Sequence, residues 1–134
     1  MPALFSAPWA AAVGGALNAS ATYREAAATW DGAVRLVARD EPAGDRAVWL
    51  DLHHGRCDAT QAGADALKAE APFEIAAPLA VWTEVLAGRL DPLMGMMLGK
   101  LRVTGDMGQI GRHVKAAKEM VACAASVRVT PDPG

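Results

Sequence analysis

The chain has 134 residues, enough for one domain around a single core and too few for two. Hydrophobic residues make up 52% and charged residues 21%, with a formal net charge of −2 and no run of like charges. That balance excludes an electrostatic grip on nucleic acid, which needs a clustered basic surface, and no apolar run approaches the roughly 20 residues that cross a bilayer.

Two helices are predicted first. The opening MPALFSAPWAAAVGGALNAS is apolar like a secretion signal, but it lacks a positive start and carries Pro8 and Trp9, so it reads as an N-terminal helix. Ser6 and Pro8 form its cap and first turn, and Ala10 to Leu17 continue it. Asn18 or Ser20 caps a second helix through Ala28, with Tyr23, Ala26, Ala27 and Trp30 on one stripe and Gly32 as the stop.

A sheet region follows. Val34, Leu36 and Ala38 alternate with Arg35 and Arg39, and Asp40 to Asp45 is a turn cluster. Val48, Leu50 and Leu52 then alternate with Trp49, Asp51 and His53, and His54-Gly55 suits a tight connection into a strand over Arg56 to Gln61. This is the pattern of an antiparallel meander with one buried face. Ala62 to Ala71 predicts a turn or two of helix, and Phe73 to Ala77 a fourth strand ended by Pro78. Leu79, Trp82, Val85 and Leu86 return to helical spacing, and Gly88 closes that helix.

Asp91-Pro92 is a cap followed by proline at the first helical position, opening a short helix that carries Met94, Met96 and Met97 and ends at Gly99. Lys100 to Thr104 predicts a fifth strand, with Leu101 and Val103 inward. Asp106 caps a last long helix whose apolar positions are Met107, Ile110, Val114, Ala117, Val121 and Ala124. Val127 and Val129 suit a short final strand. The order argues an α+β fold: a mostly antiparallel sheet with helices packed on one face, in one domain over 1–134, with N-terminal helices over about 6–30 and a core over 32–129.

Recognisable catalytic patterns fail on spacing. Gly95 to Lys100 lacks the intervals and hydroxyl of a phosphate loop, and Gly105, Gly108 and Gly111 lack those of a dinucleotide site. Asp51, His53, His54, Cys57 and Asp58 form the one polar cluster with metal-ligand chemistry, but only Asp51 and His53 share a strand face. A polar hairpin end is the simpler reading, so no metal or other cofactor is expected. Ser20, Ser126 and His113 form no recognisable triad, and an enzyme using Asp51, His53 or His113 is the least favoured reading. Cys57 and Cys123 suit a reduced, intracellular protein, with one disulfide as the alternative. Arg112, Lys115 and Lys118 read as a solvated helix face.

The apolar set Trp82, Leu86, Leu90, Met94, Met97, Leu98, Leu101 and Met107 has two readings, core packing or a compliant wall beside a void. Flexible thioethers flanked by glycines tilt the balance toward the wall. The run Met97-Leu-Gly-Lys-Leu-Arg-Val-Thr-Gly-Asp-Met-Gly108 resembles the signature of the sterol carrier protein-2 (SCP-2) family, in which a hydrophobic helix leads into Gly-Lys-Leu, an alternating strand and a Gly-Asn/Asp turn. Trp82 to Leu90 resembles the segment upstream of it in bacterial members, and Asp51-Leu52 with Gly55 resembles the family's sheet hairpin. The likeness is close over 79–124 and looser over 30–124.

The resemblance implies a five-stranded sheet under helices, enclosing an apolar tunnel for a fatty acid, fatty acyl-CoA or sterol-like lipid. It implies a carrier, not an enzyme. By matching position, the lipid-facing residues are Trp82, Leu86, Met94, Met97, Leu101, Val103, Met107 and Ile110. A polar head is expected to meet Lys100, Arg102 or Arg112. Expected partners are a long-chain lipid and, in an alternative reading, a second copy in a homodimer formed by a docking module with a collapsed pocket. A bacterial, cytoplasmic setting is expected, without nucleic acid or stable membrane insertion.

Overall fold

The computed structural model describes residues 3–39 and 44–127. Part of the Asp40 to Asp45 turn, and Val129 of the suggested final strand, lie outside these residues.

Helix α1 (Ala7–Ala19) starts where Ser6 Oγ accepts the N–H of Trp9 at 3.2 Å, with proline in the first turn. It buries Trp9, Ala10, Val13, Gly14 and Leu17, one stripe at helical spacing. Ser20 ends it and caps α2 (Ala21–Ala26), its Oγ accepting the N–H of Tyr23 at 3.0 Å. Strands β1 (Val34–Arg39), β2 (Arg46–His53) and β3 (Arg56–Ala62) form the expected antiparallel meander. His54 and Gly55 join β2 to β3 with φ of 51° and 82°, the paired positive angles of a tight hairpin turn.

Helix α1 lies on β3 at close range. A Cβ added to Gly14 would sit 2.9 Å from Thr60 Cγ2. The Asn18 amide satisfies both backbone groups of Cys57, donating to its carbonyl at 2.9 Å and accepting its N–H at 2.8 Å.

After β3, the chain passes through α3 (Ala64–Lys68) into β4 (Phe73–Pro78), which pairs with β1 in parallel. Strand β5 (Arg102–Thr104) then pairs antiparallel with β4, giving the order β3-β2-β1-β4-β5. The sheet is therefore mostly antiparallel with one parallel pair. Val34, Leu36, Val48, Leu50, Leu52, Phe73 and Ala77 join the main core beneath most of the helices. The exception is α3, which covers the opposite face, where Ala66 packs with Val37, Ala47, Ala76 and Trp49. A crossover from an edge strand to the far side of β1 has to traverse the sheet, and small residues on both layers permit close approach. Arg35 pins this layer by pairing with Glu74 at 2.7 Å and donating to the Ala69 carbonyl at 2.7 Å.

Helices α4 (Leu79–Leu86) and α5 (Pro92–Met97) follow β4. The α5 helix ends in a Schellman motif, with Gly99 at φ 75° and the Lys100 N–H bonded to Gly95 O at 2.8 Å. That closure also takes the N–H of Leu101, so β5 starts two residues later than predicted.

The expected last helix is two helices, α6 (Met107–Arg112) and α7 (Val114–Ser126), broken at His113. Asp106 caps α6 through the N–H groups of Gly108 and Gln109. The break has a local cause. His113 Nδ1 bonds the Gln109 carbonyl at 2.8 Å, competing with the helical ladder, and Gly108 and Gly111 weaken α6. Helix α7 buries Ala116, Met120, Cys123 and Ala124.

Candidate functional site: an apolar cavity

A void of about 530 Å³, counting the solvent space at its opening, lies between the sheet and the helices α2, α5, α6 and α7. Its floor is Val34, Leu52, Phe73, Ile75 and Val103, which the strand registers place on one face. Its roof is Met96, Ile110, His113, Ala116, Ala117 and Met120, and Tyr23 and Trp30 complete the wall. The short side chains of Ala116 and Ala117 stand where larger residues would fill the space.

Aromatic contacts stiffen one end. Trp30 and Phe73 have ring centroids 4.4 Å apart, and the Trp30 indole N–H donates to Gly32 O at 2.9 Å. Gly105, at φ 137°, lets the chain pass Phe73 where a Cβ would come within 2.6 Å of the ring.

Two polar side chains reach this wall, Tyr23 and His113. Burial pushes the Tyr23 hydroxyl pKa well above its ordinary value, so it stays neutral. His113 stands edge-on to Trp30 at 5.1 Å. The Gln109 carbonyl only accepts, so Nδ1 carries the ring hydrogen, and in the neutral ring Nε2 accepts from Thr29 Oγ1 at 2.9 Å. Both nitrogens are thus satisfied, and the cavity presents hydrocarbon and aromatic surface.

Residues 14–117 match the SCP-2 sterol transfer family. The chain belongs to that family. Among solved structures, a sterol carrier protein 2 crystal structure is 42% identical and superposes with a TM-score of 0.86, over 93% of this chain and 99% of that one. The solution structure of a conserved hypothetical protein from Thermus thermophilus is 41% identical, with a TM-score of 0.84 over 98% and 94%. The apo form of sterol carrier protein 2 from Yarrowia lipolytica shares the fold at 17% identity, with a TM-score of 0.61 over 92% and 93%. No curated protein matches the chain.

Within this SCP-2 fold, Val103 and Ile110 are the two sequence-predicted site residues that line the cavity. Trp82 and Leu101 are buried elsewhere in the core. The Trp82 indole donates to Val37 O at 2.8 Å and its ring meets Phe5, while Leu101 packs on Gly95. Leu86 packs against the core without reaching the void. Met94, Met97 and Met107 face outward, 49%, 81% and 57% exposed, and the inward methionines are Met96 and Met120. Sequence reasoning missed most of the floor. Its signal was the period-two face of β1, β2 and β4, read as core without asking what lay above it.

The polar cluster has a geometry of its own. A bulge in β2–β3 pairs Asp51 with Ala59 and Leu52 with Cys57, leaving Asp58 as the extra residue. Ligand atoms of Asp51, His53 and Asp58 all lie within 4.8 Å of one another. The His53 ring is clasped between Asp31 at Nδ1 and Asp51 at Nε2. The hydrogen bond to Asp31, then that to Asp51, raises the His53 pKa, and the same contact lowers that of Asp31. A cation here would have to displace one of these bonds, so the cluster is first a charge clamp between the α2–β1 loop and β2. His54 instead bonds Ala28 O, and Cys57 points inward, its thiol pKa pushed to about 11 by burial.

Ser20 and Ser126, which form no recognisable triad with His113 in the sequence, are engaged elsewhere. Ser20 caps α2, and Ser126 Oγ donates to Cys123 O at 2.6 Å. Cys57 and Cys123 are both free and buried. Among the described residues, no helix is long and apolar enough to cross a membrane.

Proposed function

We propose that this SCP-2 family chain is a non-catalytic carrier that holds the hydrocarbon part of a long-chain lipid in the cavity under α6 and α7. The observation that carries the reading is a void whose floor and roof are hydrocarbon and aromatic, with its histidine already satisfied. Burial of apolar surface supplies affinity without any directional partner, which suits a fatty acid, a fatty acyl-CoA or a sterol-like guest. Relatives named sterol carrier protein 2 support the same class. Val103 and Ile110 contact the guest, joined by Phe73, Ile75, Met96, Ala117 and Met120. Trp82, Leu86 and Leu101 act by holding the surrounding framework. Free buried thiols and the bacterial relative favour a bacterial cytoplasmic setting.

The test is displacement of a fluorescent fatty acid by unlabelled fatty acid, acyl-CoA and sterol. Native mass spectrometry of freshly purified protein adds the mass of any lipid carried from the host. Saturable one-to-one displacement at micromolar concentration or below is expected. Folded protein that binds none of these probes, or a dimer whose interface fills the void, would overturn the proposal in favour of a docking module.

A further inference from the structure

Polar groups on a hydrocarbon wall restrict what a guest can carry inside. The cavity lining has Tyr23 and His113 as its polar side chains and no lysine, arginine, aspartate or glutamate. His113 is spent on Gln109 and Thr29. Tyr23, the chain's only tyrosine, is 1% exposed, and its hydroxyl makes no hydrogen bond to any described residue. Among the described residues, the side-chain polar atom sealed in without a partner is Trp9 Nε1, which lines no cavity. The Tyr23 hydroxyl is instead a buried donor that opens on the void.

A buried hydroxyl in a native fold calls for a partner. Water is a poor one here, because an enclosed water needs about two to four polar contacts and this wall offers the tyrosine alone. A carboxylate is worse, since no cation lines the wall to repay its lost hydration. The ionisable groups that act on Tyr23 are the buried thiols of Cys57 and Cys123. Of the cations that the sequence offered for a polar head, Arg102 pairs with Ala76 on the sheet face that α3 covers, Lys100 acts on Glu84, and Arg112 is exposed on α6. An alcohol brings a second O–H to a place with one hydroxyl, so one hydrogen stays unbonded whichever group donates. A carbonyl only accepts, and it leaves no donor unpaired.

We propose that the Tyr23 hydroxyl donates to a carbonyl oxygen of the guest, so that the cavity takes an uncharged long-chain ester or ketone, with its carbonyl buried at the tyrosine and its hydrocarbon against Phe73, Ile75, Met96 and Met120. The proposal rests on the carrier reading and narrows its ligand class. A fatty acid still enters by its chain, with the charged head left on the solvent side.

The experiment takes the full chain and measures displacement of the fluorescent fatty acid by methyl octanoate, 2-nonanone, 1-nonanol and octanoate. Tyr23→Phe removes one oxygen and keeps the ring. It should weaken the ester or the ketone about five- to ten-fold, the share of one buried hydrogen bond, and octanoate less than about two-fold. The larger loss tells which of the two carbonyl classes the cavity holds. Methyl octanoate labelled with carbon-13 at its carbonyl gives a second readout. Its infrared carbonyl band should lie lower when bound to the parent than in hydrocarbon solvent, and return to the solvent position in Tyr23→Phe. The parent's band needs no variant, so it decides the matter even where Tyr23→Phe does not fold. An unshifted band in the parent would overturn the proposal, and so would a folded Tyr23→Phe that weakens all four ligands equally or none. A shift that survives in Tyr23→Phe would give the bond to water, and a loss greatest for 1-nonanol would give the site to alcohols; each overturns it. Octanoate binding without ester or ketone binding removes this proposal and keeps the carrier reading, whereas a parent that binds neither the fluorescent acid nor any of the four removes both.

Discussion

A guest chain lying in the cavity should feel its length. Each buried methylene contributes about 0.8 kcal/mol, roughly four-fold in affinity, before ordering costs reduce it. A methylene takes about the room of a water molecule, roughly 30 Å³, so a void of about 530 Å³ holds at most about 17 of them. Because that volume includes open solvent beyond the mouth, the enclosed part is much smaller and the gain should stop well short of that length. A displacement series of saturated fatty acids from four to eighteen carbons should therefore rise two- to four-fold per methylene and then level off within the series. Ala117→Phe puts a ring into the void that takes the room of about three methylenes, moving the break to shorter chains. It should lower the affinity of the longest acids by up to about sixty-fold, from about 2.4 kcal/mol of lost burial. Far-UV circular dichroism and a thermal melt confirm that this variant folds. An affinity that ignores chain length, or a break that Ala117→Phe does not move, would refute placement of the chain between α7 and the sheet.

The Asp31–His53–Asp51 clamp should make stability depend on pH. A raised histidine pKa means that the contribution is complete below the ordinary value of 6.5 and is lost as pH rises through the higher folded value, while the lowered Asp31 pKa keeps its share intact above 3.8. Urea midpoints of the parent and His53→Gln should thus differ most between those two values and converge in alkali, and a constant difference across pH would contradict the clamp. Asn18→Ala strips both partners from the Cys57 backbone and should cost about 2–4 kcal/mol by urea unfolding, whereas a loss below about 0.5 would show that solvent replaces them. Gly55→Ala should cost more than about 1 kcal/mol, because its Cβ would lie 2.6 Å from Arg24 O at a φ of 82°. Burial and the raised thiol pKa predict that Cys57 reacts with a thiol reagent only as fast as the protein unfolds, and prompt labelling in native buffer would count against it.

Much of this architecture was legible because it is written locally. Ser6, Ser20, Asp91 and Asp106 each perform the capping their sequence context suggested, and the alternation of β1 and β2 gives the buried face directly. Partner choice was not legible. The β4 pattern looks the same whether it pairs in parallel or antiparallel, and only the α3 crossover decides. The methionine helix is six residues long, too short for periodicity to say that Met96 faces in while Met94 and Met97 face out. The second bond of the His113 ring goes to Thr29, 84 positions away, which no local rule reports. The Asp51, His53 and Asp58 convergence was within reach of the sequence, since the two-residue turn at His54-Gly55 sets His53 against Arg56 and Leu52 against Cys57, which brings Asp58 beside Asp51.

The Asn18 amide has a consequence beyond its two bonds. By occupying the outward peptide groups of Cys57, it imitates a neighbouring strand along the rim of β3, where α1 also lies close. The opposite rim, β5, is three residues long. A foreign strand arriving at either side finds a blocked peptide or too short a ladder, so growth into fibrils has no template there. The protein can therefore carry sticky methionines on its outside at high concentration with less risk that sheet joins to sheet.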